Sequence, residues 1–476
     1  MSSIKKNFIY NSLYQLLALC IPLITTPYIS RVLGADGIGV YSFAYSISHF
    51  FVIFIMLGLN NYGCREIAKA RDDKKQLSRT FWSIYSLQII TGVVFNLLYI
   101  GYCFAFAKNK TAALLLGFYT LSACFDVNWL FFGLEKFKFT TIRNTLVKLL
   151  STLSIFIFVK TENDVFVYCL ILSLGFLISQ LILWPSVLKN IKFVLPNTKE
   201  IFVHLKPNLL LFVTTISVFL FKYMDKIMLG AMATEEQLGF YQVSEGIISI
   251  PIALIAALGT IMLPRMTNLI SKKSEESNKL LHISILFAML ISSSLCFGIM
   301  GIAKEFVPLF YGPGYDTCVQ IYLILLPSCL FLAFANVVRT QYLLPHQMDR
   351  DYVISAVLGA IVNLVINVLL ITHLGAIGVS LGTLVAELFV CLYQSIKVGK
   401  CISLKRSIYE IIPLVVSGAV MFVILYLWDL SQLAAIFAIA IKVLVGAIIY
   451  FVVLFLLAFL MKINYYTTIK ELVRKN

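Results

Sequence analysis

The chain has 476 residues, of which 60% are hydrophobic and only 13% charged, and its net charge is +15; the mean hydropathy is +0.92. A soluble globular protein carries about 25% charged residues, so this chain cannot clothe a water-facing surface of its size, and its apolar content also excludes a disordered chain or a disulfide scaffold. The apolar runs are continuous rather than alternating, which argues against a β-barrel and leaves an all-α polytopic membrane protein.

A spanning helix needs about 20 mostly apolar residues. Fourteen segments qualify: 8–30, 37–59, 81–106, 111–132, 142–160, 165–185, 207–230, 238–262, 282–303, 318–341, 352–372, 376–397, 409–428 and 435–461. Those touching Gly133 and Thr161 are the weakest. The Lys5-Lys6 start resembles the charged region of a signal peptide. The long apolar run behind it lacks a small-residue cleavage site and reads as a retained first helix.

Fourteen crossings put both termini on one side, and basic residues say which. Only Arg31, Lys108, Lys110, Lys160 and Lys304 fall in or beside the connections on one side, while Lys148, Lys222, Lys226 and Lys442 lie within spans. All other bases among the 38 fall on the opposite side, which is therefore cytoplasmic, with both termini. The basic excess is thus the signature of loops beside anionic membrane lipids. It carries no nucleic-acid docking motif. Within the spans the four lysines face Asp126, Asp225, Glu245 and Glu387.

The ten cysteines fall mostly within spans and form no C-x-x-C pair. They read as small buried hydrophobes, with no metal or disulfide framework. No loop is long enough to fold by itself. P-loop, dinucleotide and H-E-x-x-H motifs are absent, so neither ATP-driven pumping nor a cofactor is expected. The pair Asp349 and Asp351 reads as acids favouring a helix start, against the alternative of a metal-holding D-x-D.

The chain also echoes itself. Asn11 opens a span ending in Leu33-Gly34, and the next begins Gly39-Val40-Tyr41; Asn208 opens a span ending in Leu229-Gly230, and the next begins Gly239-Phe240-Tyr241. The spacing predicts two parallel repeats, a known transporter plan. The expected lobes are 1–190 (helices 1–6) and 191–398 (helices 7–12), with helices 13–14 and the tail over 399–476. These would be two pseudo-symmetric six-helix lobes plus two C-terminal helices.

Residues 22–49, from Pro22-Leu-Ile-Thr-Thr-Pro27 through Arg31-Val-Leu-Gly34 to Ser48-His49, are followed by Gly58-Leu-Asn-Asn-Tyr-Gly-Cys-Arg65. This stretch strongly resembles bacterial polysaccharide flippases of the O-antigen (Wzx) type, in the multidrug/oligosaccharidyl-lipid/polysaccharide exporter superfamily. Leu374-Gly-Ala-Ile-Gly378 through Glu387, and Met224-Asp225-Lys226 with Leu229-Gly230, are similar to further parts of that family. The resemblance implies a non-enzymatic transporter of the bacterial inner membrane. It implies flipping of undecaprenyl-diphosphate-linked O-antigen, capsule or exopolysaccharide units from the cytoplasmic to the outer leaflet. Two lobes would surround a central cavity, and the last two helices would serve the lipid tail. Implied partners are the lipid-linked glycan, membrane lipids, a proton or sodium gradient, and the polymerase and chain-length proteins of the same pathway.

Such a cargo calls for cations beside a polar path, and intramembrane charges are site candidates by default. Lys222, Asp225 and Lys226 share a helical face at i, i+3 and i+4 and are expected to face the cargo. A self-neutralised trio locking its helix is the plainer alternative. Arg31 is a candidate anion contact at the outer rim, or a snorkelling interface residue. Arg65 and Arg143 stand at expected cytoplasmic mouths, as headgroup contacts or as plain topology signals. Glu245 and Glu387 are candidate proton carriers or structural hydrogen-bonded acids, and His49 is a weaker one. Asn11, Asn60, Asn61, Asn208, Asn336, Asn363 and Asn367 could line a sugar path or bridge helices. Aromatics, 14% of the chain, could stack on sugars, but core packing and interfacial belts account for most. Two other functions compete: a cation-coupled multidrug antiporter of the same superfamily, and a membrane glycosyltransferase or polymerase. The enzymes usually need a large outside loop, which this sequence lacks.

Overall fold

The computed structural model describes residues 2–272, 276–399 and 403–463, apart from the side chains of 2–19, Thr214 and Phe221. The Asn11 side chain therefore lies outside the described residues. Every long element is a helix, as a bilayer demands of a chain that must satisfy its own backbone. Among the described residues, thirteen helical stretches are long and apolar enough to cross a membrane. The first runs from Cys20 to Ala70, about 75 Å of helix, against a hydrocarbon core of about 30 Å. It therefore holds more than one crossing, which brings the total to thirteen or fourteen.

Packing divides the chain into two units, Met1–Gly239 and Phe240–Asn476. This boundary is set by contacts, whereas the expected lobes were drawn from a repeat.

In the first unit α1 (Ser2–Met56) is broken at Gly34, whose φ of 67° and ψ of 178° interrupt the helix. Nothing lies within 4 Å of where a Cβ would sit, so it is backbone freedom, not crowding, that favours glycine here. The expected loop between the first two spans is thus a single-residue break. Then follow α2 (Leu59–Ala70), α3 (Lys74–Ala105), α4 (Lys110–Cys124), α5 (Asn128–Gly133), α6 (Phe137–Phe158), α7 (Val165–Leu181), α8 (Trp184–Asn190), α9 (Thr198–Phe202) and α10 (Leu205–Met232). Asp73 caps α3 by accepting from the Lys75 and Gln76 amides, and Asn109 caps α4 through the Ala112 amide, satisfying amides that a helix start leaves orphaned. The core joins Ile55, Phe81, Trp129, Phe131 and Leu183. Buried Gln88 donates to the carbonyls of Ala123 (2.7 Å) and Asp126 (2.9 Å) and accepts from Trp129 Nε1 (3.1 Å), so α3 is tied to the α4–α5 turn by a fully used amide.

The echoed glycines meet each other's helices. A Cβ on Gly39 would overlap the Glu235 carbonyl, and one on Gly239 would overlap the Ala35 carbonyl. The pair of contacts is reciprocal, Ala35 with Gly239 and Glu235 with Gly39. The echo breaks at its other glycine. Gly34 bends α1, but Gly230 is inside α10, where it accommodates the Phe43 ring, and its carbonyl accepts from Lys108 Nζ at 2.6 Å.

The second unit continues α11 (Glu235–Ser271) and adds α12 (Glu276–Tyr311), α13 (Asp316–Leu325), α14 (Ser328–Val338), α15 (Asp349–Leu374), α16 (Ala376–Gly399), α17 (Lys405–Leu427) and α18 (Ala435–Leu460). A π-helical turn, Arg339–Leu343, extends α14. Ile285, Ala333, Val338, Leu343 and Tyr450 belong to its core. α15 and α16 form a hairpin across Gly375 (φ 54°), with Gly359 against Val390 and Gly382 against Asn367. Small residues at such a seam let helices approach closely in lipid. Gln394 Nε2 to Ser355 Oγ (2.9 Å) and Asn367 Nδ2 to Asn363 Oδ1 (3.1 Å) add polar clasps. Large apolar side chains such as Leu97, Leu210, Leu369 and Phe459 remain outward on both units, as lipid contact allows.

One boundary is corrected. The span expected to end at 303 stays helical to Tyr311. Glu305, expected in an outside loop, is therefore on α12, where its Oε1 pairs with Lys442 Nζ on α18 at 2.6 Å.

Candidate functional site

The second arm of α1 runs from Ala35 to Met56, about 33 Å at 1.5 Å per residue. Tyr41, Tyr45 and His49 recur every four residues along it and so occupy one face. The His49 ring nitrogen Nδ1 lies 2.7 Å from the Tyr119 hydroxyl of α4. Tyr45 stacks near-parallel on Tyr119, with centroids 5.2 Å apart and planes 19° apart. α10 adds Tyr223, 4.9 Å from the His49 ring, and Lys226 Nζ sits 5.2 Å from the Tyr223 centroid, within cation–π range.

The three charged residues of α10 do not share one environment. Asp225 and Lys226 are buried, whereas Lys222 is exposed. Lys222 makes no hydrogen bond or ion pair among the described residues, yet both lysines act electrostatically on His49. A lysine in hydrocarbon is costly, so an exposed lysine about ten residues from the end of an apolar helix marks a wet surface. His49, Lys222, Asp225 and Lys226 are thus brought together in one unit.

The arginines go elsewhere. Arg143 is buried at 4% exposure, and its guanidinium is spent on the Ser179 carbonyl (2.9 Å), Gln180 Oε1 (3.2 Å), Asn128 Oδ1 (2.9 Å) and Asn144 Oδ1 (2.5 Å). Asn128 in turn donates to Asp126 Oδ1 at 2.7 Å. Arg143 therefore clamps α5, α6 and α7 together. Arg65 is exposed on α2, 3.4 Å from Glu66 and beside the Tyr62 ring. Arg31 is exposed and donates to the Pro27 carbonyl of its own helix at 2.7 Å.

In the second unit Glu387 is buried in α16. It has no hydrogen bond or ion pair among the described residues, and Arg339 of the π-helical turn acts on it electrostatically. Glu245 is half-buried on α11. Asp351 pairs with Lys397 at 2.9 Å, and among the described residues no cluster of three His, Cys, Asp or Glu could hold a metal. The sequence also left one cluster unremarked. His282 lies 2.8 Å from Ser407 Oγ and 3.1 Å from Glu410, which also pairs with Arg406 at 2.7 Å.

The aromatic wall is what sequence reading missed. Its signal was the four-residue recurrence of Tyr41, Tyr45 and His49, hidden by an equally aromatic background.

Residues 4–270 match the family model described as polysaccharide biosynthesis protein. The chain belongs to that family. It is 24% identical over 404 residues to the "Putative O-antigen transporter" of Escherichia coli (strain K12), covering 83% of this chain and 95% of that one. A protein of the same name from Shigella dysenteriae is 24% identical over 402 residues, covering 82% and 98%. Among solved structures, the lipid II flippase MurJ in an inward closed conformation superposes with a TM-score of 0.74 at 14% identity, over 95% of this chain and 99% of that one. An inward-facing multidrug resistance MATE family transporter gives 0.52 at 16% identity, over 80% and 98%. At these identities the solved structures show the fold that this polysaccharide family member shares.

Proposed function

We propose that this chain flips an undecaprenyl-diphosphate-linked oligosaccharide from the cytoplasmic to the outer leaflet of a bacterial inner membrane. The observation that carries the reading is Lys222, an exposed cation with no partner among the described residues on an apolar helix, beside an aromatic wall. Diphosphate is the anion this cargo offers it, and charge-assisted contacts are the strong ones. The near full-length likeness to O-antigen transporters supports the same cargo class.

The polar head and diphosphate follow the wet surface while the lipid tail stays in hydrocarbon. Lys226 assists Lys222 electrostatically, and Asp225 limits their joint charge. Arg31 and Arg65, exposed near opposite ends of the first unit's leading helices, serve as entry and exit contacts for the anion. Access alternates between the two membrane faces, the basic face being cytoplasmic. A proton or sodium gradient, or the membrane potential, at about 2.3 kcal/mol per charge per 100 mV, biases the cycle. Glu387 is the best-placed coupling group, because a buried carboxyl without a counter-ion contact can exchange a proton; Glu245 and His49 are the other candidates.

Deletion in the native host, followed by leaflet-resolved analysis of lipid-linked glycan, tests the function. Cytoplasm-facing glycan should accumulate, and wild-type protein, but not Lys222→Ala, should clear it. If glycan still reaches the outer face and only dye efflux falls, the drug-antiporter reading replaces this one. Glu387→Gln should abolish the pH dependence of transport; retention would remove Glu387 as the carrier.

A further inference from the structure

In the second unit, buried polar side chains on the two sides of Glu387 are satisfied differently. Glu387 lies about 17 Å of helix from either end of α16 and is 6% exposed. Toward the outer end, serines take nearby carbonyls: Ser328 donates to Leu325 at 2.6 Å and Ser380 to Ala376 at 2.8 Å. Buried Leu326, Ala333 and Val379 belong to the same half. Toward the end that the basic residues assign to the cytoplasm, the pattern reverses. Asn336 Oδ1, both amide atoms of Gln341 and Gln394 Oε1 are buried with no hydrogen-bond partner among the described residues. Buried polar groups without partners are rare, because each one is costly.

These atoms line one seam. Gln394 is seven residues beyond Glu387 on α16, hence on the same helical face and about 10 Å nearer the cytoplasm. Its Nε2 donates to Ser355 Oγ of α15 at 2.9 Å. Gln341 is in the π-helical turn Arg339–Leu343, which packs on both α15 and α16; such turns recur at functional sites. Asn336 precedes that turn on α14 and faces α11, where a Cβ on Gly259 would lie 2.5 Å from its Oδ1. Arg339, over the Tyr352 ring, is the charged group that acts on Glu387 among the described residues, and Cys329 of α14 and Cys391 of α16 are its other titratable neighbours.

We propose that this seam is a hydrated proton path from the cytoplasmic face to Glu387, with Gln341 and Gln394 holding its waters. The proposal rests on Glu387 as the coupling carboxyl and adds the side from which that carboxyl is loaded. An amide carries a donor and an acceptor on one short side chain, so Gln341 can hold water in line from both ends without itself titrating. Water in a polar seam also removes the cost of the orphaned amides. The unsatisfied groups of the seam end at Glu387, so the carboxyl exchanges protons with the cytoplasm while the outer half stays closed.

The test reads Glu387 protonation in the full chain by its reaction with dicyclohexylcarbodiimide, an apolar reagent for protonated carboxyls, located by mass spectrometry. Inside-out and right-side-out membrane vesicles, each buffered within, receive an external pH drop. Labelling of Glu387 should rise promptly in inside-out vesicles, whose exterior is the cytoplasmic face, and lag in right-side-out ones. Gln341→Leu should slow the inside-out response about tenfold, the kinetic scale of one hydrogen-bonded step, without raising the unfolding temperature. A dry seam gives the reverse: loss of an orphaned amide raises the unfolding temperature and leaves the response unchanged, which overturns the path. If Gln341→Leu fails to fold, Gln341→Met, closer in shape, reads the same rate with the same two outcomes. A response as fast from the outer face overturns the path as well. Wild type in which Glu387 is never labelled overturns both the path and Glu387 as the coupling group, and leaves the flippase reading standing, since glycan export is measured separately.

Discussion

Arg143 and Lys222 are both cations in apolar helices of the same unit, and the structure treats them as opposites. Arg143 is buried, with its donors taken up by Ser179, Gln180, Asn128 and Asn144. Lys222 is exposed and donates to nothing among the described residues. A charge in a bilayer protein is costly in either case, so each must be compensated. Arg143 is compensated by the fold, which makes it a strut. Lys222 is left to be compensated by water and by cargo, which makes it a contact. Whether an intramembrane charge is functional is thus decided by what already occupies its donors.

Stability measurements should separate the two, and Arg143 gives the largest effect. Arg143→Ala strands Asp126, Asn128 and Gln180 in a buried network and should cost about 3–5 kcal/mol. The readout is thermal unfolding of the purified protein, with a matching drop in monodisperse yield. A variant as stable as wild type would break the comparison, since Arg143 would then be free to act as a headgroup contact. Lys442 is the intermediate case. Its side chain is 1% exposed and pairs with Glu305, so Lys442→Met should destabilise by about 3 kcal/mol by leaving a carboxylate unpaired. The double variant Lys442→Met/Glu305→Gln should recover most of that loss, because a buried ion pair is nearly neutral against apolar replacement. No recovery would mean that Lys442 holds α18 by packing alone.

Much of this was legible before the fold was known. The spans follow from unbroken apolar runs, and the family from residues 22–49, because both signals are local in sequence. Helical spacing puts Lys222 and Lys226 on neighbouring positions of α10, but gives no sign that Lys226 is buried while Lys222 is exposed. What spacing cannot show is the partner on another helix. Arg143 read as a topology signal or a headgroup contact because Asn128, Ser179 and Gln180 reach it from α5 and α7. Glu305 read as loop because an acid beside Lys304 resembles a span end, and its counter-ion Lys442 is in the last helix. The ring stack was invisible for the same reason: periodicity places Tyr41, Tyr45 and His49 on a face, but only α4 supplies Tyr119. The reciprocal glycine contacts show the opposite case. The echo at Gly39 and Gly239 was readable, and the structure gives its physical content as two backbone carbonyls that leave no room for a Cβ.

Lys222 is the case with the smallest expected effect on stability. A residue that touches no described partner has nothing to lose on folding when truncated, and surface changes away from special features fall within about 0.5 kcal/mol. Lys222→Met keeps the side chain's length and apolar stem while removing its charge. Its unfolding temperature and yield should match wild type while glycan export fails. A nearby lysine cannot stand in for it, since Lys226 is buried and seated by the Tyr223 ring. The control is Lys222→Arg, which keeps a cation able to meet a diphosphate and should restore export in part. Loss of stability comparable to Arg143→Ala would place Lys222 among the struts and remove the reason for assigning it to the cargo. Unchanged stability with unchanged export would show that the wet surface beside Tyr45 and His49 is not on the cargo's path.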